Sequence, residues 1–358
     1  MKRVSAVKII GSIGLVISML LNGCTTNSIT DNNVSGNDLT ATEVIRLMGN
    51  GINLGNTLEA YNHKSYVELG VDPTSFETLW GQPVTTRDMI DDMKAMGFDT
   101  LRIPVAWTNG INYESGDYTI DERLMNRVDE VVNYALDADM YVILNEHWDG
   151  SWWGMFGSAD EAVREKGMAL YKSMWTQISE HFSDYSYKLI FESANEELCH
   201  RLNDSDVTGT EGVLSEDECY ETTNRINSEF VKLVRSTGGK NADRFLLIAG
   251  YNTDFRKTCD DRYQMPEDTA KDKLLLSVHY YTPWDYCSDG NAKRWGTPGD
   301  YEEQNSLFQM LTKFTDLGYG VVIGEYAVMG AADKPDRDKF YANLLDNCDL
   351  YNLSLIHI

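Results

Sequence analysis

The sequence predicts an α/β chain folded as a (β/α)8 TIM barrel. Short, nearly continuous apolar runs alternate with longer segments of helical period from about residue 50 onward, and no linker separates the units. No GxGxxG motif follows a strand and opens a helix, which argues against a doubly wound sheet. Seven runs read as buried parallel strands: "GINLGN" (51–56), "TLRIPVAW" (100–107), "MYVILNEH" (140–147), "KLIFESANE" (188–196), "RFLLIAGY" (244–251), "KLLLSVHYY" (273–281) and "YGVVIGEYA" (319–327).

Between them lie amphipathic helix candidates. "TTRDMIDDMKAMG" has Thr85 or Thr86 as N-cap and Gly97 as stop. "DERLMNRVDEVVNYALDADM", "REKGMALYKSMWTQISEHF", "TTNRINSEFVKLVRSTGG" and "EEQNSLFQMLTKFTDLG" follow in order. The strand count is one short of closure. After "VVIGEYAV" come a loop, a helix candidate at "RDKFYANLLDNC", and "DLYNLSLIHI". The barrel is therefore expected to lack its eighth strand and helix, with "LSLIHI" a foreign tail on a C-terminally truncated chain. The alternative is that "SLIHI" is itself a short eighth strand.

Thirty-one Lys and Arg stand against 56 Asp and Glu in 358 residues, a formal charge of −25. Such a field repels nucleic acid and anionic membranes, so a neutral polymer or small molecule is the expected partner. Residues 1–23 carry Lys2, Arg3 and Lys8 before an apolar stretch, which reads as a secretory signal. Its end, Leu21-Asn22-Gly23-Cys24, resembles a bacterial lipobox, making Cys24 the expected lipidation site; an ordinary cleaved signal is the alternative. Residues 24–40 form a polar tether, and residues 41–358 the barrel. A secreted protein, lipid-anchored to the cell envelope and monomeric, is expected, with membrane contact only through the lipid. Cys199, Cys219, Cys259, Cys287 and Cys348 would meet an oxidising compartment, and Cys199–Cys219 is the expected pair, pinching a polar loop. No Cys or His spacing reads as a zinc site; neither metal nor cofactor is expected.

Barrel chemistry projects from the C-terminal strand ends. Read as a set, these ends give Asn56, Arg102, His147, Asn195, Glu196, His279, Tyr281 and Glu325. Singly, each has a structural explanation. Polar groups ending six of seven apolar runs do not. Glu196 and Glu325 each close such a run, and two opposed carboxyl groups suit glycoside cleavage, one entering protonated and one held ionised by donors such as Arg102 and Tyr281. Asn195 could donate to a sugar 2-hydroxyl. Glu146 should point away from this set by strand alternation.

In that order, "GINLGNTLEA", "LRIPVAW", "NEH", "FESANEE", "VHYYTPW" and "VVIGEYA" resemble glycoside hydrolase family 5, the retaining cellulase-type family, over about residues 42–330. The resemblance implies Glu196 as acid/base and Glu325 as nucleophile, with Arg102, His147, Asn195, His279 and Tyr281 around them. "GINLGNTLEA…ETLWGQPVTT" is most similar to the endo-β-1,4-glucanase branch, which also holds xyloglucan- and mixed-linkage-glucan-active enzymes. A β-mannanase, and a glycan-binding lipoprotein without catalysis, are the alternatives. The chain departs from the family where relatives pair two His, having His147-Trp148, and where an aromatic platform is expected after the eighth strand.

"VILNEHWDGSWW" (142–153) places Trp148, Trp152 and Trp153 on the loop beyond His147. Pyranose faces stack on indole rings through their C–H surface, so these rings are expected sugar platforms, or else pack the loop onto the barrel. Trp284, Trp107, Tyr61 and Tyr280 are further platform candidates.

Overall fold

The computed structural model describes residues 38–358 apart from 151, 206, 289–291 and 331–333. The expected signal segment, Cys24 and most of the tether lie outside the described residues. Among the described residues no helix is long and apolar enough to cross a membrane.

Eight parallel strands close a barrel in chain order: β1 (Asn50–Asn53), β2 (Thr100–Ile103), β3 (Tyr141–Asn145), β4 (Leu189–Glu192), β5 (Leu246–Ala249), β6 (Leu274–Tyr280), β7 (Gly320–Tyr326) and β8 (Leu353–His357). Strands β2 to β5 are buried at every position, as their unbroken apolar sequences require when a helix layer covers one face and the barrel interior the other.

The expectation of a missing eighth strand is corrected by β8. Val321, Val322 and Ile323 of β7 pair with Leu353, Ser354 and Leu355, while Asn50, Gly51 and Ile52 of β1 pair with Leu355, Ile356 and His357. Neighbours on both edges satisfy this short segment, so it needs no following helix to be a strand. Gly51 is part of the closure, since a Cβ there would collide with Ile356 Cδ1. The helix Arg337–Tyr351 delivers the chain directly into β8 through Asn352, which takes the left-handed conformation at φ 55°.

Helix starts follow their sequence signals. Thr86, not Thr85, caps Arg87–Ala95 by accepting from the Met89 N–H, and Gly97 at φ 98° ends that unit. Ser215 and Glu218 form a capping box for Glu216–Ser236. The segment expected as one helix near 302–318 is two, Pro298–Met310 and Thr312–Thr315. Before β1, a helix at Ala41–Leu47 buries Ala41, Val44 and Ile45, and its Ala41 N–H donates to the Asp272 carbonyl at 2.8 Å.

The expected Cys199–Cys219 disulfide is also corrected: both are free, buried thiols, as are Cys287 and Cys348. Asn203 closes the polar loop in their place. Its Nδ2 donates to the Leu214 carbonyl at 2.8 Å, and its Oδ1 accepts the Leu214 N–H at 3.0 Å.

One irregularity positions the site. The β6–β7 register slips between Val278 and His279, so Val278 pairs with Ile323 but His279 with Glu325, leaving Gly324 as the extra residue. Such bulges re-aim side chains. A Cβ on Gly324 would stand 3.1 Å from His279 Nε2, so glycine lets the ring lie against the backbone there.

Candidate active site

Arg102 organises the barrel mouth. Fully buried on β2, it donates from Nε to Glu192 Oε2 at 2.7 Å, from Nη1 to Asn53 Oδ1 at 2.9 Å and Glu325 Oε1 at 2.8 Å, and from Nη2 to Asn195 Oδ1 at 2.8 Å. Two carboxylates and two amide oxygens thus converge on one guanidinium, whose rigid fork suits the task. Asn53 in turn donates to the carbonyl of the bulged Gly324 at 2.9 Å, which ties β1 to the segment presenting Glu325.

Glu325 receives a second donor, Tyr281 Oη, at 3.0 Å on its other oxygen. His279 Nδ1 lies 2.8 Å from Glu196 Oε1 and 3.6 Å from Glu325 Oε2. Oxygens of Glu196 and Glu325, with a nitrogen of His279, all fall within 4.8 Å of one another. An approach of the two carboxyl groups to within 4.8 Å fits the close pair of retaining glycosidases (~5–5.5 Å) and not the ~6.5–9.5 Å of inverting ones. The same trio has the spacing of a metal site, but Glu325 already accepts from Arg102 and Tyr281, which is the donor set of an ionised nucleophile.

The electrostatics agree with that geometry. Burial pushes the Glu325 carboxyl up, but the charges of His279 and Arg102, with the Arg102 hydrogen bond, outweigh it and hold the group well below the usual carboxylate range. For His279, burial disfavours the imidazolium while Glu325 and Glu196 favour it; the carboxylates win and raise it. His147 is lowered to about 3, mainly by burial, and is a neutral imidazole. It sits 3.2 Å from Asn145 Nδ2.

The structure brings together Arg102, His147, Asn195, Glu196, His279, Tyr281 and Glu325. Asn56 stands apart from this cluster but lines the cavity over β1 together with His147 and Trp148. β1 ends at Asn53, and Asn56 is exposed on the following turn at φ 61°, its N–H donating to the Glu59 carboxylate. Glu59, Glu192 and Asn53 were not anticipated. "LIFE" carried the signal for Glu192, an acid ending an apolar strand, and Glu196 lies on the loop beyond.

Two cavities flank the carboxyl pair. One of about 420 Å³ lies over β1, lined by Asn53, Glu59, Trp80, His147 and Trp148 among others. The other, about 360 Å³, is lined by Glu196, Arg201, Asn252, Tyr281 and Trp284. Trp148 is half-buried and edge-on to Tyr61 at 5.4 Å; Trp284 is 68% exposed beside Tyr281. The expectation of sugar platforms at Trp152 and Trp153 is corrected. Both are buried, stacked on each other at 4.3 Å and packed on Phe156, because the chain after β3 turns inward as a 3₁₀ turn over the helix layer. Trp107 and Tyr280 are buried too. Trp153→Ala should therefore cost about 3–5 kcal/mol in urea unfolding. Trp284→Ala should leave stability within about 0.5 kcal/mol and raise KM roughly two- to tenfold.

A closed parallel barrel with two carboxyl groups at this separation on its C-terminal rim defines a retaining glycoside hydrolase. The family model for cellulase (glycosyl hydrolase family 5) matches residues 64–354. Endoglucanase A of Paenibacillus barcinonensis is 35% identical over 328 residues, covering 84% of this chain and 75% of its own. A xyloglucan-specific endo-β-1,4-glucanase of Bacteroides ovatus is 33% identical over 311 residues, 83% of this chain and 59% of its own. A broad-specificity endoglucanase from Ruminococcus champanellensis, solved with bound cellotriose, superposes with a TM-score of 0.76 at 32% identity, covering 89% of each chain. The chain belongs to glycosyl hydrolase family 5, the cellulase family, and is an O-glycosyl hydrolase of the endo-β-1,4-glucanase type.

Proposed function

We propose that Glu325 is the nucleophile and Glu196 the general acid/base of a double displacement on β-1,4-glucan. The observation that carries this is the carboxyl pair within 4.8 Å, of which only Glu325 is gripped by Arg102 and Tyr281. Glu325 attacks the anomeric carbon while Glu196 gives its proton to the departing glycosidic oxygen. Glu196 then takes a proton from water, which releases the covalent sugar with net retention. Asn195, its Oδ1 fixed by Arg102, offers its amide N–H to the sugar 2-hydroxyl. The cavity over β1 takes the sugar retained on the enzyme, with Trp148 and Trp80 as its aromatic walls; the cavity beside Trp284 takes the leaving chain.

A plain β-1,4-glucan is the primary substrate in this reading. The xyloglucan-specific relative supports xyloglucan as the second, with mixed-linkage glucan and mannan behind it. Initial rates on carboxymethylcellulose, mixed-linkage glucan, xyloglucan and mannan decide among them. Retention is checked by following the anomer first released; an inverted first product would overturn the double displacement.

The reading extends to location: a monomer held at the cell envelope through lipid on Cys24, supported by the basic-apolar leader and the polar residues that follow. Incorporation of labelled palmitate, abolished in Cys24→Ser, is the expected result.

A further inference from the structure

Glu146, Asp149 and Glu197 form a buried acidic group behind the loops that follow β3 and β4, exposed by 0%, 0% and 1%. None of them has a role in the mechanism above. No partner of ordinary hydrogen-bond geometry among the described residues meets either oxygen of Glu146 or of Glu197; the Trp153 indole is the N–H nearest to acting on Glu146. Asp149 differs: its Oδ2 accepts the Thr108 N–H at 3.0 Å and its Oδ1 accepts from Trp152 Nε1. The Glu146 carboxyl lies within hydrogen-bonding reach of Asp149. Two bare carboxylates cannot hydrogen-bond each other; contact between them when buried requires a proton.

Other groups face the pair from every side. Glu197 comes from the loop after β4, and Tyr171 from the helix Glu161–His181. The Trp153 indole N–H also acts on Glu146, outside ordinary hydrogen-bond geometry, and favours its ionised form less than Asp149 and Glu197 oppose it. Arg201 is the cation at hand, but it stands 4.0 Å from Glu197 Oε1. The pair also brackets two residues of the site: His147 and Trp148 lie between Glu146 and Asp149, and both line the cavity over β1.

We propose that Glu146 and Asp149 share one proton, and that this bridge clamps the turn presenting His147 and Trp148, making both acids positioning residues of the hydrolase. Asp149, with its two N–H donors, carries the charge, and Glu146 is the carboxylic acid that donates to it. Burial, followed by the charges of Asp149 and Glu197, raises Glu146 well above the carboxylate range; burial lifts Asp149 to about 6. Glu197 is raised to about 8, by burial and then by Glu196. The bridged state therefore spans neutral pH. Alkali ionises it and sets like charges against each other beneath the turn.

The test uses two variants of the whole chain. Glu146→Leu cannot bridge and should lower kcat/KM on a soluble glucan about ten- to hundredfold, the scale expected when site groups are misplaced. Glu146→Gln keeps an N–H donor toward Asp149 and should recover most of that loss. Glu146 binds its proton more tightly folded than unfolded. Wild-type stability relative to Glu146→Gln should thus fall as pH rises above about 4.3, levelling off beyond the folded pKa. The infrared carbonyl band of a protonated acid at neutral pH should weaken in Glu146→Gln. A Gln variant no better than Leu, a pH-independent offset in melting temperature, or an unchanged carbonyl band would each overturn the bridge. So would melting temperatures that respond to calcium instead of pH. The positioning role rests on the glucan-hydrolase reading. A wild type inactive on every glucan would fail that reading, while the melting temperatures and infrared band would still decide the bridge.

Discussion

Glu196→Gln is expected to lower kcat on an unactivated β-1,4-glucan by about 10²–10⁴-fold, the range for removing a positioned general acid. Stability should change by no more than about 0.5 kcal/mol, because the side chain is partly exposed and Gln keeps the oxygen that faces His279 at 2.8 Å. The informative comparison is with a dinitrophenyl cellobioside, whose leaving group departs without a proton. For that substrate the first step should survive and the loss should move to breakdown of the covalent intermediate, seen as a burst. Glu325→Gln should abolish both reactions and show no burst, since no covalent intermediate forms. Equal loss on the two substrates in Glu196→Gln would mean that Glu196 is not the acid, and full activity on natural glucan would remove it from the mechanism.

The barrel was legible because its strands are buried on both faces and so spell out continuous apolar runs; strand ends that break the run with ionisable groups then marked the rim. Where a second element supplied the missing information, the sequence alone misled. β8 is five residues long, and what makes "LSLIH" a strand is pairing with β7 on one edge and closure against β1 on the other, the latter a relation between residues such as Asn50 and Leu355 at opposite ends of the barrel sequence. Trp152 and Trp153 follow a polar strand end, which in a loop reads as exposure. Their burial depends on a 3₁₀ turn packing against the helix Glu161–His181, through Tyr171 among others. Asn56 reads in sequence as the end of the first strand because the run reads on to it, whereas the strand stops at Asn53, whose amide reaches Gly324, and Asn56 lines the cavity from the turn beyond. Glu192 was eclipsed by Glu196, although its carboxylate is a deeply buried partner of Arg102 and also accepts from Ser277 Oγ at 2.7 Å.

Arg102→Met should lose about 3–5 kcal/mol of stability, because it removes the one guanidinium shared by two buried carboxylates and leaves both uncompensated. Its effect on chemistry has a separate signature. Arg102 is among the charges that hold Glu325 ionised against the push of burial, so its loss should raise the Glu325 carboxyl and move the acidic limb of kcat/KM to higher pH. The linkage has a definite sign. Glu325 is depressed in the folded state, so the stability it contributes is present above its unfolded value of about 4.3 and is lost as pH falls toward the lower folded value. Urea unfolding of the wild type should therefore weaken over that acidic window, and the Arg102→Met curve should be flatter there because less depression remains to be lost. Glu192→Gln added to Arg102→Met should restore part of the stability, since it removes one of the two stranded charges, but should not restore the acidic limb, which belongs to Glu325. A variant with the wild-type limb would show that His279, with the Tyr281 hydroxyl, keeps Glu325 ionised without Arg102. Arg102 would then serve only to join β1, β2, β4 and β7 at the mouth of the barrel.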